Sequence, residues 1–161
     1  MAVSASLGPS REDRGLIPGA DGARPADLYI PLWAPGGKDA ALDVCVVSPL
    51  QQATIQRAAR EPGYALLMRT NQKWSKYGEA CRAQNISFFA LAVETTGAWE
   101  DGAAALIKRL AIALARATCQ EEGQVVKHLF GKLSLLLMKS NAGLILNRQN
   151  YHPDASLNGD I

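Results

Sequence analysis

Residues 24–33 read RPADLYIPLW, and residues 41–47 read ALDVCVV. Both stretches favour strands, because apolar, β-branched and aromatic residues dominate them. Each carries one aspartate: Asp27 near the start of the first strand and Asp43 inside the second. A carboxylate within an apolar strand is costly unless a cation lies beside it. The two stretches therefore predict a site in which Asp27 and Asp43 face a cation, either from the protein itself or a metal ion.

A small mixed α/β fold is predicted around these strands. The glycines in APGGKD, residues 34–39, favour a turn between them. Further along, the pattern predicts a short helix over residues 50–60 and a longer helix over 64–84. An interior strand covered on both faces is predicted over 86–94, followed by two C-terminal helices over 99–119 and 122–148. The order β, β, α, β and then a helical pair predicts a small mixed β-sheet flanked by helices, with a C-terminal helical hairpin.

Composition divides the chain into four expected segments. Residues 1–23 are rich in Gly, Pro, Ser and charge and are expected to be flexible. Residues 24–97 form the α/β core, residues 98–148 the helical hairpin packed on it, and residues 149–161 a flexible tail.

Several classes of protein are disfavoured by length, charge and motif content. A chain of 161 residues with a net charge of +2 suggests one domain without a strongly basic nucleic-acid coat. No apolar run approaches the roughly 18 residues of a bilayer span, and the N-terminus lacks a signal peptide, so we expect an intracellular protein with no membrane partner. Cys45, Cys81 and Cys119 have no metal-ligand spacing and are expected to be buried, reduced thiols. Phosphate-binding loops and nucleophile elbows do not occur in the sequence.

The helix predicted over residues 64–84 supplies cations. At 100° per residue, Arg69, Lys73 and Lys76 fall in one narrow stripe. An apolar stripe beside it should face the sheet and contains Leu66, Leu67, Trp74, Tyr77 and Cys81. The lysines would then lie at the border and reach over the strand ends. The alternative is that they are only the solvated edge of an amphipathic helix.

A family resemblance rests on four short motifs: RPAD, LDVCVV, KWSKY and LAVETTG. Together they resemble the PD-(D/E)XK restriction-endonuclease-like superfamily, and most closely the endonuclease domain at the C-terminus of non-LTR retrotransposon reverse-transcriptase polyproteins. The likeness covers residues 10–97 directly. It implies a restriction-endonuclease-like core and a Mg²⁺-dependent nuclease.

The resemblance also implies roles for individual residues. Asp27 and Asp43 would hold Mg²⁺. The superfamily's usual lysine position is occupied here by Cys45, so a lysine from the helix would substitute; Lys76 is favoured because it precedes Tyr77, and Lys73 is the other choice. Contacts to nucleic acid would come from Arg24, Arg69, Lys73 and Tyr77, with Arg24 alternatively pairing with an aspartate. Glu12 is the one candidate for a further acid from an early helix, and the role of Glu94 is left open between the site and helix capping.

Three functions follow as hypotheses. The first is a Mg²⁺-dependent DNA endonuclease domain of retrotransposon origin, either active or a degenerate fragment, and nuclear if it acts on DNA in a eukaryote. The second is an inactive nucleic-acid-binding module of the same fold. The third is a protein-interaction unit that uses the C-terminal helices. Expected partners are DNA, a second copy of the chain or the other domains of a parent polyprotein.

Overall fold

In the computed structural model, which describes residues 10–11 and 26–149, four strands form one sheet. They are ordered along the sheet as in the sequence: β1 (Ser10–Arg11), β2 (Leu28–Ala34), β3 (Lys38–Val47) and β4 (Ile86–Glu94). The pairs β1–β2 and β2–β3 are antiparallel, whereas β3–β4 is parallel. Helices complete the fold, so the predicted mixed sheet flanked by helices is confirmed.

A tight connection joins β2 to β3, as the two glycines predict. It is a single 3₁₀ turn, Pro35–Gly37, in which Gly36 and Gly37 have φ of 76° and 69°. Only glycine adopts this left-handed region without steric cost. Strand β3 begins three residues earlier than the predicted strand because pairing with β2 continues almost to the turn, at Ala34 opposite Lys38.

One long helix crosses from β3 to β4, as a parallel pair of strands requires. It comprises α2 (Tyr64–Lys73), a π-helical turn (Trp74–Gly78) and α3 (Glu79–Ala83). The predicted helix over residues 64–84 is thus present, but the π turn was not anticipated. The short helix predicted over residues 50–60 is reduced to α1 (Ile55–Ala58).

The face of the sheet under this helix is buried in two clusters. One joins Ala41, Phe88 and Ala90 to Tyr77 and Cys81 of the helix. The other joins residues of β3 and β4 to the first turn of α2: Cys45, Val47, Ala92, Ala65 and Leu66. The predicted apolar stripe is correct except at Leu67 and Trp74, which are 56% and 46% exposed.

Strand β4 has the predicted bounds, and Leu91, Ala92 and Val93 are buried. Its predicted interior position is wrong, because β4 is the last strand of the described sheet. An apolar run indicates that both faces of a strand are covered. It does not indicate whether another strand pairs with the edge of that strand.

Contacts divide the chain into two units, Met1–Arg109 and Leu110–Ile161, with the division inside α4 (Asp101–Ala117). In the second unit, Ala111 and Ala115 of α4 are buried together with Val125 of α5 (Glu122–Gln149). Cys119, in the turn between these helices, is exposed, which corrects the expectation that all three thiols are buried. The flexible ends predicted at 1–23 and 149–161 lie outside the described residues, except for β1 and Gln149.

Helix α5 bears on the expectation that the chain has no bilayer span. By length and composition, one helix among the described residues could cross a membrane, Glu122–Asn147. The uninterrupted apolar runs in it are short, but its mean hydropathy is high enough despite Lys132 and Lys139. A single helix of this kind does not establish a membrane span, because helices of soluble proteins pass the same test.

Candidate functional site

The strand register brings the two aspartates together. Leu28 of β2 pairs with Leu42 of β3, and Asp27 is the residue just before this last pair. The backbone N–H of Asp27 donates to the carbonyl oxygen of Leu42, the residue before Asp43, at 2.9 Å. The two carboxylates, separated by 16 positions in the sequence, are close enough that the charge of Asp27 acts on Asp43.

Asp27 is the exposed member of the pair. Its Oδ2 accepts a hydrogen bond of 2.7 Å from the backbone N–H of Val44, which flanks Asp43. This bond orients the Asp27 side chain toward β3 while leaving the residue open to solvent.

Asp43 is the buried member, only 5% exposed. It alternates with Val44 and Val46, which point to the other face and are exposed, so Asp43, Cys45 and Val47 share the face under the crossover helix. Its burial is compensated by Lys73, whose Nζ lies 2.7 Å from Oδ2 of Asp43. Within residues 26–149, this oxygen accepts no further hydrogen bond.

The two candidate lysines have different positions. Lys73, the last residue of α2, has a side chain 19% exposed and reaches Asp43. Lys76 lies in the π turn, is exposed, and has its Nζ 4.8 Å from the centre of the Tyr77 ring. A π turn contains more residues than an α turn, so Lys76 is rotated further from Lys73 than a regular helix predicts. The structure therefore brings Lys73, rather than the favoured Lys76, to the aspartates.

Electrostatics around Asp43 combine opposing effects. Burial raises the pKa of the Asp43 carboxyl above its ordinary value; the hydrogen bond and charge of Lys73 oppose this rise, and the charge of Asp27 adds to it. Burial likewise raises the pKa of the Cys45 thiol. The charge of Asp43 adds to this rise, and the Arg69 guanidinium opposes it. Burial and the charge of Asp43 therefore both favour the protonated thiol at Cys45.

The remaining predicted residues divide between the site and its surroundings. Arg69 interacts with the Cys45 thiol and donates to Oε1 of Gln72 at 3.2 Å, so it lies at the border of the site. Tyr77 is buried and packs against Phe88 with ring centres 6.0 Å apart. Arg24 and Glu12, by contrast, lie outside the described residues.

Glu94 belongs to a different part of the sheet. It is buried at the end of β4 and accepts a hydrogen bond of 2.7 Å from the Thr96 hydroxyl. Glu94 pairs with Val47, whereas Asp43 pairs with Ala90, four residues earlier on each strand. About 3.3 Å per residue separates the two positions by more than 10 Å along the strands. Glu94 therefore completes the end of β4 rather than the pair of aspartates.

A second carboxylate interaction on β3, at Asp39, is absent from the sequence-based predictions. Asp39 accepts hydrogen bonds from the Tyr29 hydroxyl and, at 2.8 Å, from the backbone N–H of Leu32. Leu32 has a φ of 55° and lies where the β2–β3 register shifts, and its bond to Asp39 holds it there. An aspartate followed by alanines gave no signal of this role, because it depends on which cross-strand neighbours the register supplies.

We name Asp27, Asp43 and Lys73 the acidic corner. Its two carboxylates fit Mg²⁺, which proteins bind through one or two carboxylates with water and substrate phosphates completing the shell. A structural zinc ion would need more donors, and the part of the chain that the structure describes contains no group of three or more His, Cys, Asp or Glu side chains suited to a metal.

Comparison with known protein families, with curated proteins and with solved structures found no match for this chain.

Proposed function

We propose that this chain is a Mg²⁺-dependent DNA endonuclease domain of retrotransposon origin, which hydrolyses a phosphodiester bond at the acidic corner. The observation that carries the proposal is the proximity of three charged side chains from three parts of the chain: Lys73 of α2 lies 2.7 Å from Asp43 of β3, and Asp27, before β2, accepts the N–H of Val44 and acts on Asp43 through its charge. The motifs RPAD, LDVCVV and KWSK supply these residues and also carry the likeness to restriction-endonuclease-like proteins.

The proposed chemistry assigns a role to each of these residues. Asp27 and Asp43 would hold Mg²⁺, which when bound supplies positive charge to stabilise the negative charge on the phosphoryl oxygens. Lys73 has three N–H donors and is partly exposed, so it can also contact a water or a phosphate oxygen. Hydrolysis forms a bond from the water oxygen to phosphorus and breaks the bond from phosphorus to the leaving oxygen, which takes up a proton. Arg69, at the border, would hold the DNA backbone.

One observation favours the inactive nucleic-acid-binding module as a second candidate. The ion pair between Lys73 and Asp43 already neutralises the buried carboxylate, so Asp43 has a structural role without any metal. The cations of the helix would then bind phosphates without catalysis.

Nicking of supercoiled plasmid with Mg²⁺ separates the candidates. We expect Asp43→Asn and Asp27→Asn to lower the nicking rate at least about a hundredfold, because each removes a charged oxygen from the metal site. Asp39→Asn is the matched control, since Asp39 lies on the same strand and contacts Tyr29 and Leu32 instead. Lys73→Met should lose nicking and Lys76→Met should retain it.

Three outcomes are distinguishable. Mg²⁺-dependent nicking that Asp43→Asn abolishes and Asp39→Asn retains supports the endonuclease. Plasmid binding without nicking, weakened by Lys73→Met, assigns the inactive module. A chain that neither nicks nor binds DNA overturns both.

The C-terminal helix favours the third candidate, a protein-interaction unit. Among the described residues of α5, six large apolar side chains are between 54% and 67% exposed: Leu135, Leu136, Met138, Leu144, Ile145 and Leu146. Concentration-dependent self-association in sedimentation velocity, reduced by Leu136→Glu and unchanged by Lys139→Glu, would support it, whereas a concentration-independent monomer would exclude homodimerisation through this helix.

A further inference from the structure

Within the described residues, the outer edge of β4 is unpaired over part of its length. Backbone groups of a strand alternate between its two sides. The N–H of Thr95 points to β3 and donates to Val47 at 2.9 Å, whereas the N–H of Glu94 points outward and donates to Ala98 at 2.7 Å. The alternation therefore directs the N–H and C=O groups of Ile86, Phe88 and Ala90 outward as well.

These outward groups have no hydrogen-bond partner among residues 10–11 and 26–149. The segment from Ala98 to Glu100 closes the edge only from Ala92 onward, through the bond from Glu100 N–H to the Ala92 carbonyl at 3.1 Å. Ile86, Phe88 and Ala90 are 7%, 2% and 6% exposed, and unpaired backbone groups in buried residues are unfavourable. Natural sheets usually protect open edges with lysine or proline, and β4 contains neither.

Two cavities of about 360 Å³ and about 250 Å³ lie along this edge, and both are lined by Phe88, Phe89 and Trp74. We name them, together with the edge, the β4 groove. Gly78 also lines the first cavity, and Leu106 of α4 lines the second. Each cavity is large enough for an apolar side chain. A strand added to β4 would bond the open backbone groups and place side chains in these cavities.

Charge at the rim distinguishes the possible occupants. Lys38 lines the first cavity and Arg109 the second, and neither forms an ion pair within residues 10–11 and 26–149. Arg82, also at the first cavity, is already paired with Glu79 at 2.7 Å, and Glu100, also at the second, accepts the N–H of Ala103 at 2.8 Å. The rim therefore favours a segment with acidic residues. Strand β4 of a second copy offers a single acid, at its end, and is a poorer complement.

We propose that the β4 groove binds an extended segment of a partner protein as an added strand, with apolar side chains at alternate positions and acidic residues at its ends. This site is independent of the acidic corner, and its failure would leave the proposed nuclease untouched.

A synthetic peptide tests the backbone pairing. The probe is fluorescein-labelled Asp-Val-Thr-Val-Phe-Val-Thr-Glu, titrated with the full chain and followed by fluorescence anisotropy. Two versions N-methylated at alternate residues, one in each register, are the decisive controls. Only one of the two methylated peptides should bind more weakly, by about tenfold or more in affinity, because only one set of alternate N–H groups faces β4. Equal binding of both versions, or no binding of the unmodified peptide up to about 1 mM, overturns the proposal.

Matched variants locate the binding. Ala105 lines the second cavity from an exposed position, so Ala105→Trp should fill the groove without disturbing the core. Lys108→Trp, equally exposed on α4 and outside the cavities, is the control. We expect the first variant to weaken peptide binding about tenfold or more and the second to leave it unchanged. Equal effects would overturn the assignment. A concentration-dependent dimer dispersed by Ala105→Trp would assign the groove to a second copy instead.

Discussion

The acidic corner and the β4 groove are both built on the crossover helix, from adjacent residues: Lys73 reaches Asp43, and Trp74 lines the groove. At the acidic corner, the chain supplies a counter-charge for its own buried carboxylate. At the β4 groove, buried backbone groups between Ile86 and Ala90 have no partner among the described residues. A substitution in the chain should therefore disrupt the acidic corner, whereas the β4 groove should respond to a bound segment of another protein.

The largest effect should come from removing the internal counter-charge. Lys73→Met leaves Asp43 buried without a cation and should lower the free energy of unfolding by about 3 kcal/mol. Lys76→Met, which removes an exposed lysine near Tyr77, should change it by less than about 0.5 kcal/mol. Urea denaturation followed by circular dichroism measures both.

A double variant sharpens this result. Lys73→Met with Asp43→Leu removes both charges, and we expect stability within about 1 kcal/mol of the wild type. If the double variant is less stable than Lys73→Met alone, the ion pair is not the origin of the loss.

A smaller effect is expected where the helix borders the groove. A Cβ on Gly78 would lie 2.3 Å from the Trp74 ring, which packs edge-on against Phe88 at 5.7 Å between centres. Gly78→Ala should therefore displace the ring and cost about 1–3 kcal/mol in unfolding free energy, with a change in tryptophan fluorescence.

Removing the ring tests this explanation. In a Trp74→Ala background the same glycine substitution should cost little, since the clashing atoms are gone. An unchanged cost in that background would locate the effect in the backbone of the π turn. Gly131→Ala, where the added methyl meets nothing within 4 Å, should not destabilise the chain.

The third prediction concerns pH, and it contrasts two aspartates of one strand. Burial raises the pKa of Asp43. The Asp43 carboxyl therefore contributes fully to stability at pH values below the ordinary aspartate pKa, and this contribution is lost as the pH rises through the raised pKa. The Tyr29 hydrogen bond lowers the pKa of Asp39, so that contribution is present above the ordinary value and is lost as the pH falls through the lowered pKa.

Unfolding free energies across the acidic range check both signs. Relative to Asp43→Asn, the wild type should lose stability as the pH is raised from about 4 toward neutrality. Relative to Asp39→Asn, it should lose stability as the pH is lowered below about 4. Parallel curves for the two variants would show that the environments of these carboxyls do not differ as described.

The smallest effect is kinetic and leaves stability unchanged. Cys119 is exposed, whereas Cys45 and Cys81 are buried with raised pKa values. Thiol labelling of the native chain should modify Cys119 first, and peptide mass mapping identifies the site. Early labelling of Cys45 would mean that the acidic corner opens readily to solvent.

Much of the fold was accessible from local sequence patterns. Alternation along LDVCVV groups Asp43 with Cys45 and Val47 on one face of the strand, and the glycines at 36 and 37 located the turn. The bounds of β4 were correct to the residue. These features depend on periods of two and 3.6 residues and on the conformational freedom of glycine, all of which act within a few residues.

The lysine at the site and the position of β4 were less accessible. A regular helix predicts Lys73 and Lys76 on one stripe, but the π turn separates them. The apolar pattern of β4 suggested an interior strand, and the described sheet ends there. Both features depend on packing between elements that are distant in the sequence.

The sequence by itself determined the strands, the crossover helix and which residues of β3 share a face with Asp43, because side-chain periodicity and turn chemistry are local properties of the chain. Only the tertiary structure decided that Asp43 is buried, that Lys73 is the cation beside it, and that no described segment pairs with the outer edge of β4 from Ile86 to Ala90. Register, helix phase and strand order result from long-range contacts, and no local pattern encodes which distant partner a residue will meet.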